Sequence, residues 1–369
     1  MMAEILSGRR WFRTAAAVLT VGVLAACDSG SEASPGVIAT STASSAPKGA
    51  PDLGAGEELA HGIDVPWGMT FLPDGDALIA ERDSARVLRL KPGSGEAREV
   101  YKVPGVVASG EGGLLGLAVS PKFAEDNLVY AYFTAENDNR IARFELDGDG
   151  APEVIFDGIA KATYHNGGRI AFGPDGMLYA GTGDAGEKPR SQDPASPNGK
   201  ILRLTPDGKP ASGDSPVYSL GHRNVQGLAW DSSGRMFATE FGQNELDEVN
   251  LIQQGRNYGW PEVEGEGDTD GGRYTNPLVT WATKDASPSG MAISGTTAYV
   301  AALRGQRLWT IPLDGEKAGE PKAEFKEKYG RLRTVQIAPD GALWLTTSNT
   351  DRGKKLHEGD DRVLRFPAS

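Results

Sequence analysis

Three short segments carry the side chains of this chain whose types and spacing could do chemistry. They are Tyr164-His165-Asn166-Gly167-Gly168-Arg169, Gly221-His222-Arg223-Asn224-Val225-Gln226-Gly227 and Tyr329-Gly330-Arg331-Leu332-Arg333. Imidazole titrates near neutral pH and can move a proton. Guanidinium groups are planar forks suited to carboxylates. Arg331 and Arg333 are two apart, so on an extended segment both side chains point the same way. A histidine before a strand is more often structural than chemical. His222 is read as structural, turned away from Arg223 on an extended chain. The three segments lie far apart in sequence and make one site only if the fold gathers them.

A repeat suggests how that happens. Apolar runs beginning near Trp67, Leu117, Ile170, Leu228, Met291 and Val335 lead into Pro-Asp-Gly or a near equivalent. A second apolar or aromatic run follows each: Ala77 to Ala80, Val129 to Phe133, Met177 to Ala180, Met236 to Thr239, Ala298 to Ala301 and Ala342 to Leu345. Asp-Gly between apolar runs is a hairpin signal. The spacing, roughly 45–60 residues, is that of β-propeller blades. The expected fold is all-β, a six-bladed β-propeller of four-stranded antiparallel sheets. Arg86 to Leu90 and Arg362 to Phe366 alternate charged and apolar residues. They are expected as outer strands with one face in water. Each chemistry-bearing segment immediately precedes a first strand. Such connections share one end of a propeller axis, so the segments should converge on one funnel. The longest insertions, Thr182 to Asn198 and Glu262 to Asn276, are expected at its mouth or in solvent.

The first 27 residues read as an export signal. Arg9, Arg10 and Arg13 precede a short apolar stretch ending Leu24-Ala25-Ala26-Cys27, which resembles a bacterial lipobox. Cys27 is then the lipidated residue and the protein is extracytoplasmic, on the membrane only through that anchor. Arg9-Arg10-Trp11-Phe12 is similar to a twin-arginine signal, which leaves the export route open. Residues 28–52 are rich in Ser, Ala, Gly and Pro and read as a flexible tether. Residues 53–369 form the propeller. Cys27 is the only cysteine, so no intrachain disulfide is possible. Arg9, Arg10, Arg13 and Glu4 all lie in the signal, so the remainder keeps 35 basic and 49 acidic residues, a formal charge of -14. That balance argues against nucleic acid or anionic lipid as a partner. There is no Gly-x-Ser-x-Gly elbow, no nucleotide loop with its lysine and no EF-hand spacing.

The segments resemble the soluble pyrroloquinoline quinone (PQQ)-dependent glucose and aldose sugar dehydrogenases, the glucose/sorbosone dehydrogenase family. Gly110-Glu111-Gly112-Gly113-Leu114-Leu115-Gly116, Glu240 through Asn250, and Asn257-Tyr258-Gly259-Trp260-Pro261 are similar to further signatures of that family, in the same order. The resemblance runs from about Gly62 to the C-terminus. It implies oxidation of the C1 hydroxyl of aldoses to lactones with PQQ and calcium. By the family pattern His165 is the base and Arg223 steadies charge on the quinone oxygen. Asn224, Arg331, Arg333 and Arg304 contact the cofactor, with Glu111 beside cofactor or sugar. The resemblance assigns calcium to the carbonyls of Gly242 and Gln243, with Asp247 nearby. Trp281 is expected to stack on the sugar. An external electron acceptor is implied and not identified. Two other readings stay open: a binding propeller of the same family without turnover, and a calcium-dependent lactonase. The paired arginines argue against the lactonase, which has no polycarboxylate cofactor to clamp.

Overall fold

The Pro-Asp-Gly turns are built alike. At Leu72 to Asp76 the Gly75 N–H donates to the Leu72 carbonyl at 3.0 Å and Gly75 takes φ 92°. The Asp74 carboxylate accepts the Asp76 N–H at 3.0 Å. Asp175 and Asp340 do the same for Met177 and Ala342. The outer oxygen of each aspartate then takes an arginine from the third strand: Arg89 on Asp74, Arg203 on Asp175 and Arg365 on Asp340, at 2.6–2.8 Å. The repeated Asp and the repeated Arg are thus two halves of one contact that locks a turn to its sheet.

The computed structural model describes residues 49–148, 150–352 and 357–369. Cys27, the export signal and the tether up to residue 48 lie outside them. Among the described residues, six antiparallel sheets form the six blades of a β-propeller. Their first strands are Pro66–Phe71, Leu114–Val119, Ile170–Phe172, Val225–Trp230, Pro288–Ser294 and Leu332–Ile337. These match the six starts read from sequence. Five sheets have four strands; the fifth blade has an outer edge split between Lys317–Ala318 and Lys322–Glu324. The ring closes when Glu57–His61 pairs with Arg362–Phe366 as the outermost strand of the last blade.

One expectation is corrected here. Arg86–Leu90 and Arg362–Phe366 are third strands, not edges, covered by Ala97–Lys102 and Glu57–His61. Val87, Leu88, Val363 and Leu364 are all buried, so both faces are covered by neighbouring blades. Of the alternating arginines that suggested a wet face, Arg89 and Arg365 are committed to turn aspartates, while Arg86 pairs with Glu81 and Arg362 with Glu58.

The core is divided among the seams between blades. One apolar cluster joins Leu78 and Val87 of the first blade to Leu117 and Val129 of the second. Another joins Trp344 and Val363 of the last blade to Ile79 and Leu88 of the first. Four more fill the remaining seams. Near the axis the first strands approach backbone to backbone. A Cβ on Gly116 would lie 2.2 Å from the Gly168 carbonyl oxygen, and one on Gly227 would lie 2.4 Å from that of Ser289. Arg169 braces the axis. Its guanidinium faces the Trp67 ring at 4.5 Å and donates to the Gln226 carbonyl at 2.7 Å and to Thr334 Oγ1 at 3.0 Å.

Gly116→Ala is therefore expected to wedge the second and third blades apart and to cost about 2 kcal/mol. Urea unfolding of the native chain and the variant measures this; equal midpoints would show that the seam yields freely.

Candidate active site

In an antiparallel blade the start of the first strand and the end of the second meet at the same end of the axis. Each blade contributes from one or both of those positions here. Residues that precede first strands include Glu111, His165, Arg223, Ser287 and Arg331; residues that follow second strands include Arg82, Gly242, Arg304 and Asp351. Together they line one cavity of about 640 Å³. His165, Arg223, Arg304, Arg331, Arg333, Glu111, Gly242, Gln243 and Asp247 all reach it. The convergence expected of the three segments is present.

His165 is the best-defined group. Its backbone sits at φ 57°, and its N–H donates to Glu111 Oε2 at 3.1 Å. Its ring Nδ1 lies 2.7 Å from Asp184 Oδ1. Asp184 is buried and also accepts the Gly186 N–H at 2.8 Å and the Trp260 indole N–H at 2.9 Å. Burial alone would raise the Asp184 carboxyl; the bond and charge of His165 and these N–H donors hold it below the usual range. An ionised Asp184 favours the proton on Nδ1 and leaves Nε2 as the acceptor. Sequence reasoning missed Asp184, although it follows the second strand of its blade as Arg82 and Arg304 follow theirs.

Arg223 Nη1 donates to the Phe241 carbonyl at 3.1 Å and the Gly242 carbonyl at 2.7 Å. Its Nε is buried without a partner, as is the amide nitrogen of Asn224. Asn224 Oδ1 meanwhile accepts the Gly167 N–H at 2.9 Å, joining two of the three segments. Burial pulls the Arg223 pKa down despite nearby carboxylates.

Across the cavity Asp351 gathers three arginines. Arg333 reaches it at 2.8 Å and Arg331 at 3.3 Å, and Arg82 closes the group. Burial works against the Asp351 charge, but Arg333 and Arg82 outweigh it and hold the carboxyl down at about 2. Burial lowers Arg333 to about 10. Asp351 carried no sequence signal beyond its place after a second strand. On the remaining wall burial pushes Asp247 up to about 6, its oxygens accepting the Ser287 and Gly242 N–H groups at 2.6 and 3.0 Å. The Gln243, Asn244 and Glu245 N–H groups all point at Glu264 Oε1, within 2.6–2.9 Å. The two long insertions thus brace the site through Asp184 and Glu264. Among the described residues no three His, Cys, Asp or Glu side chains cluster to hold a metal.

Asn224, Trp281 and His222 do not line the cavity, and Asn224 is fully buried. Trp281, expected at the sugar, is buried in the seam between the fourth and fifth blades, stacked on Trp309 at 5.4 Å. Its strand faces it into the core, so it is not available to a substrate in the cavity. His222 is structural, as read: fully buried, bonded to Ser219 and Glu240 and stacked on Tyr258, with burial pushing its imidazole down to about 3.

Known proteins share this fold. The family model for glucose/sorbosone dehydrogenase matches residues 63–357. The PQQ-bound aldose sugar dehydrogenase of Streptomyces coelicolor superposes with a TM-score of 0.82 at 51% identity, covering 87% of this chain and 100% of that one. The apo soluble aldose sugar dehydrogenase of Escherichia coli superposes with a TM-score of 0.73 at 26% identity, covering 85% of this chain and 99% of that one. Quinoprotein glucose dehydrogenase B of Acinetobacter calcoaceticus is 30% identical over 64% of this chain and 59% of its own length.

The Asp351 carboxyl, held well below its ordinary value of 3.8, stabilises the fold wherever it is ionised. Its contribution, about 2 kcal/mol, is complete above pH ~4 and disappears as pH falls toward ~2. Asp351→Asn should lower stability at neutral pH and flatten this acid limb. Denaturation midpoints from pH 7 to pH 2 measure both; parallel curves for the two proteins would refute the assignment.

Proposed function

This chain belongs to the glucose/sorbosone dehydrogenase family, and from that premise we propose that it oxidises the C1 hydroxyl of aldoses to lactones with bound PQQ and calcium. It is an oxidoreductase, a sugar dehydrogenase of the PQQ-dependent type. The observation that carries the finer reading is the composition of one cavity wall: an imidazole with its Nδ1 held by a carboxylate, facing a set of guanidinium groups that its carboxylates do not neutralise. Arg82, Arg223, Arg304, Arg331 and Arg333 line the cavity against Glu111, Asp247 and Asp351. A planar tricarboxylate suits that excess. The unpartnered Arg223 Nε and Asn224 Nδ2 are buried donors that a cofactor oxygen would satisfy.

Bound there, the ortho-quinone supplies the acceptor for the hydride lost from C1. The chain supplies the rest. Arg331, Arg333 and Arg304 would hold carboxylates. Arg223, fixed by two backbone carbonyls, would set a positive charge against the quinone oxygen. His165 Nε2 takes the proton of the C1 hydroxyl, and Asp184 steadies the imidazolium that results. Calcium fits as a guest of the cofactor. The Gly242 carbonyl spends one lone pair on Arg223 and keeps another for a hard cation, and the Gln243 carbonyl is next in the chain. With so few protein ligands, calcium would need cofactor oxygens to complete its shell. The lipobox-like run ending at Cys27 supports lipid anchoring outside the cytoplasm, and the electron acceptor is external. Cys27→Ser should then release the protein from the membrane fraction; membrane retention of that variant would exclude the anchor.

Apo protein mixed with PQQ and Ca²⁺ should reduce an artificial dye in the presence of aldoses. His165→Ala should lose about 10³-fold in turnover. It should still bind PQQ, as absorbance titration would read. Chelation of calcium should weaken PQQ binding. Absence of saturable PQQ binding, or of sugar-dependent dye reduction across a broad aldose panel, would end this reading.

A further inference from the structure

The carboxylate that holds the base and the Arg223 guanidinium meet at one aromatic ring. Trp260 donates its indole N–H to Asp184 Oδ2 at 2.9 Å, while Asp184 Oδ1 holds His165 Nδ1 at 2.7 Å. The Arg223 guanidinium carbon lies 5.3 Å from the centroid of the same ring. Trp260 is only 5% exposed and is not part of the cavity wall. Its own placement is fixed from two sides. Its backbone N–H donates to the Gly221 carbonyl at 3.0 Å, and its carbonyl accepts Gln192 Nε2 at 2.7 Å. Those bonds tie it to the segment that carries Arg223 and to the insertion that carries Asp184.

We propose that Trp260 is a positioning residue that sets the basicity of His165 through Asp184 and the aim of Arg223 through its ring face. The inference rests on the reading of His165 as the base. The physical argument concerns charge. A carboxylate that accepts an indole N–H on one oxygen has less negative charge to offer an imidazole on the other. Without that donor Asp184 would hold imidazolium more firmly, and His165 would be a base only at higher pH. Other charged groups face this pair, and Glu240, itself pushed up to about 7 by burial, feels the Asp184 charge. Glu111 accepts the His165 backbone N–H at 3.1 Å. Arg223 and Lys188 stand over the Trp260 ring at 5.3 and 5.1 Å. Trp260→Phe alters none of these residues themselves.

Trp260→Phe keeps a ring beneath Arg223 and deletes the donor; Trp260→Leu deletes both. The His165 titration in apo protein, followed by imidazole NMR and assigned with His165→Gln, reads the first effect without cofactor. In Trp260→Phe the His165 titration should move to higher pH. In the loaded enzyme kcat on the acid limb should fall about threefold with the sugar KM nearly unchanged. The acid limb of the pH profile should move up by the same amount as the apo titration. PQQ affinity should stay within about twofold in Trp260→Phe and drop about fivefold in Trp260→Leu. A folded Trp260→Phe protein with an unchanged His165 titration overturns the proposal. If that variant does not fold, the native chain labelled with 5-fluorotryptophan serves instead. One of its tryptophan signals should follow the His165 titration and cease to do so in His165→Gln. No signal following it would also overturn the proposal. A native enzyme inert toward sugars would instead sink the functional reading, because the apo titration does not depend on turnover.

Discussion

A blade of this kind cannot bury its own faces, and everything else in the molecule follows from that. Each sheet has a core only where it meets the next, as the seam clusters show. A row of such sheets is stable only when the last finds the first. Pairing of Glu57–His61 with Arg362–Phe366 supplies the closure. Once the ring is closed, six equivalent connections surround one opening, and the position of a residue within its blade decides whether it faces that opening. Arg82, Arg304 and Asp351 come from three different blades and serve one cavity because they occupy the same place in the repeat.

The opening is electrostatically unfinished. Asp351 is shared among Arg82, Arg331 and Arg333, and Arg169 lies deeper on the axis with only neutral acceptors. Burial lowers Arg169 to about 9, with the charge of Arg333 adding to it. Gathering like charges away from water costs stability in the free protein. The same arrangement favours a ligand that brings several negative charges in a plane. Binding and folding are therefore in tension at this end of the axis, and the apolar seams and turn locks provide the stability that allows it.

Much of this was legible beforehand, and the reasons are specific. The six blade starts were readable because Asp-Gly turns recur between apolar runs, and each turn has a local cause. His165, Arg223, Arg331 and Arg333 were readable because they interrupt that pattern just before a first strand. The third strands were misread as outer strands with one face in water because Arg89 and Arg365 look solvated until their aspartate partners are seen. Trp281 was misplaced because an aromatic in a family-like stretch says nothing about which face of its strand meets a neighbouring blade. Asp184 and Asp351 went unnoticed because their partners sit on other strands or blades: bonds from 165 to 184 and from 82 to 351 leave no periodic trace.

The closure that completes the ring also brings the two ends of the folded unit together. Asp52 N–H donates to the Pro367 carbonyl at 2.8 Å, and Ser369 N–H donates to that of Ala50 at 3.0 Å. A few glycines could join these ends covalently, and the chain could then be cut open in an exposed turn elsewhere. Such a rearranged chain would keep every seam while moving the strand that latches the ring to a different blade. The order in which blades are made would change and the architecture would not.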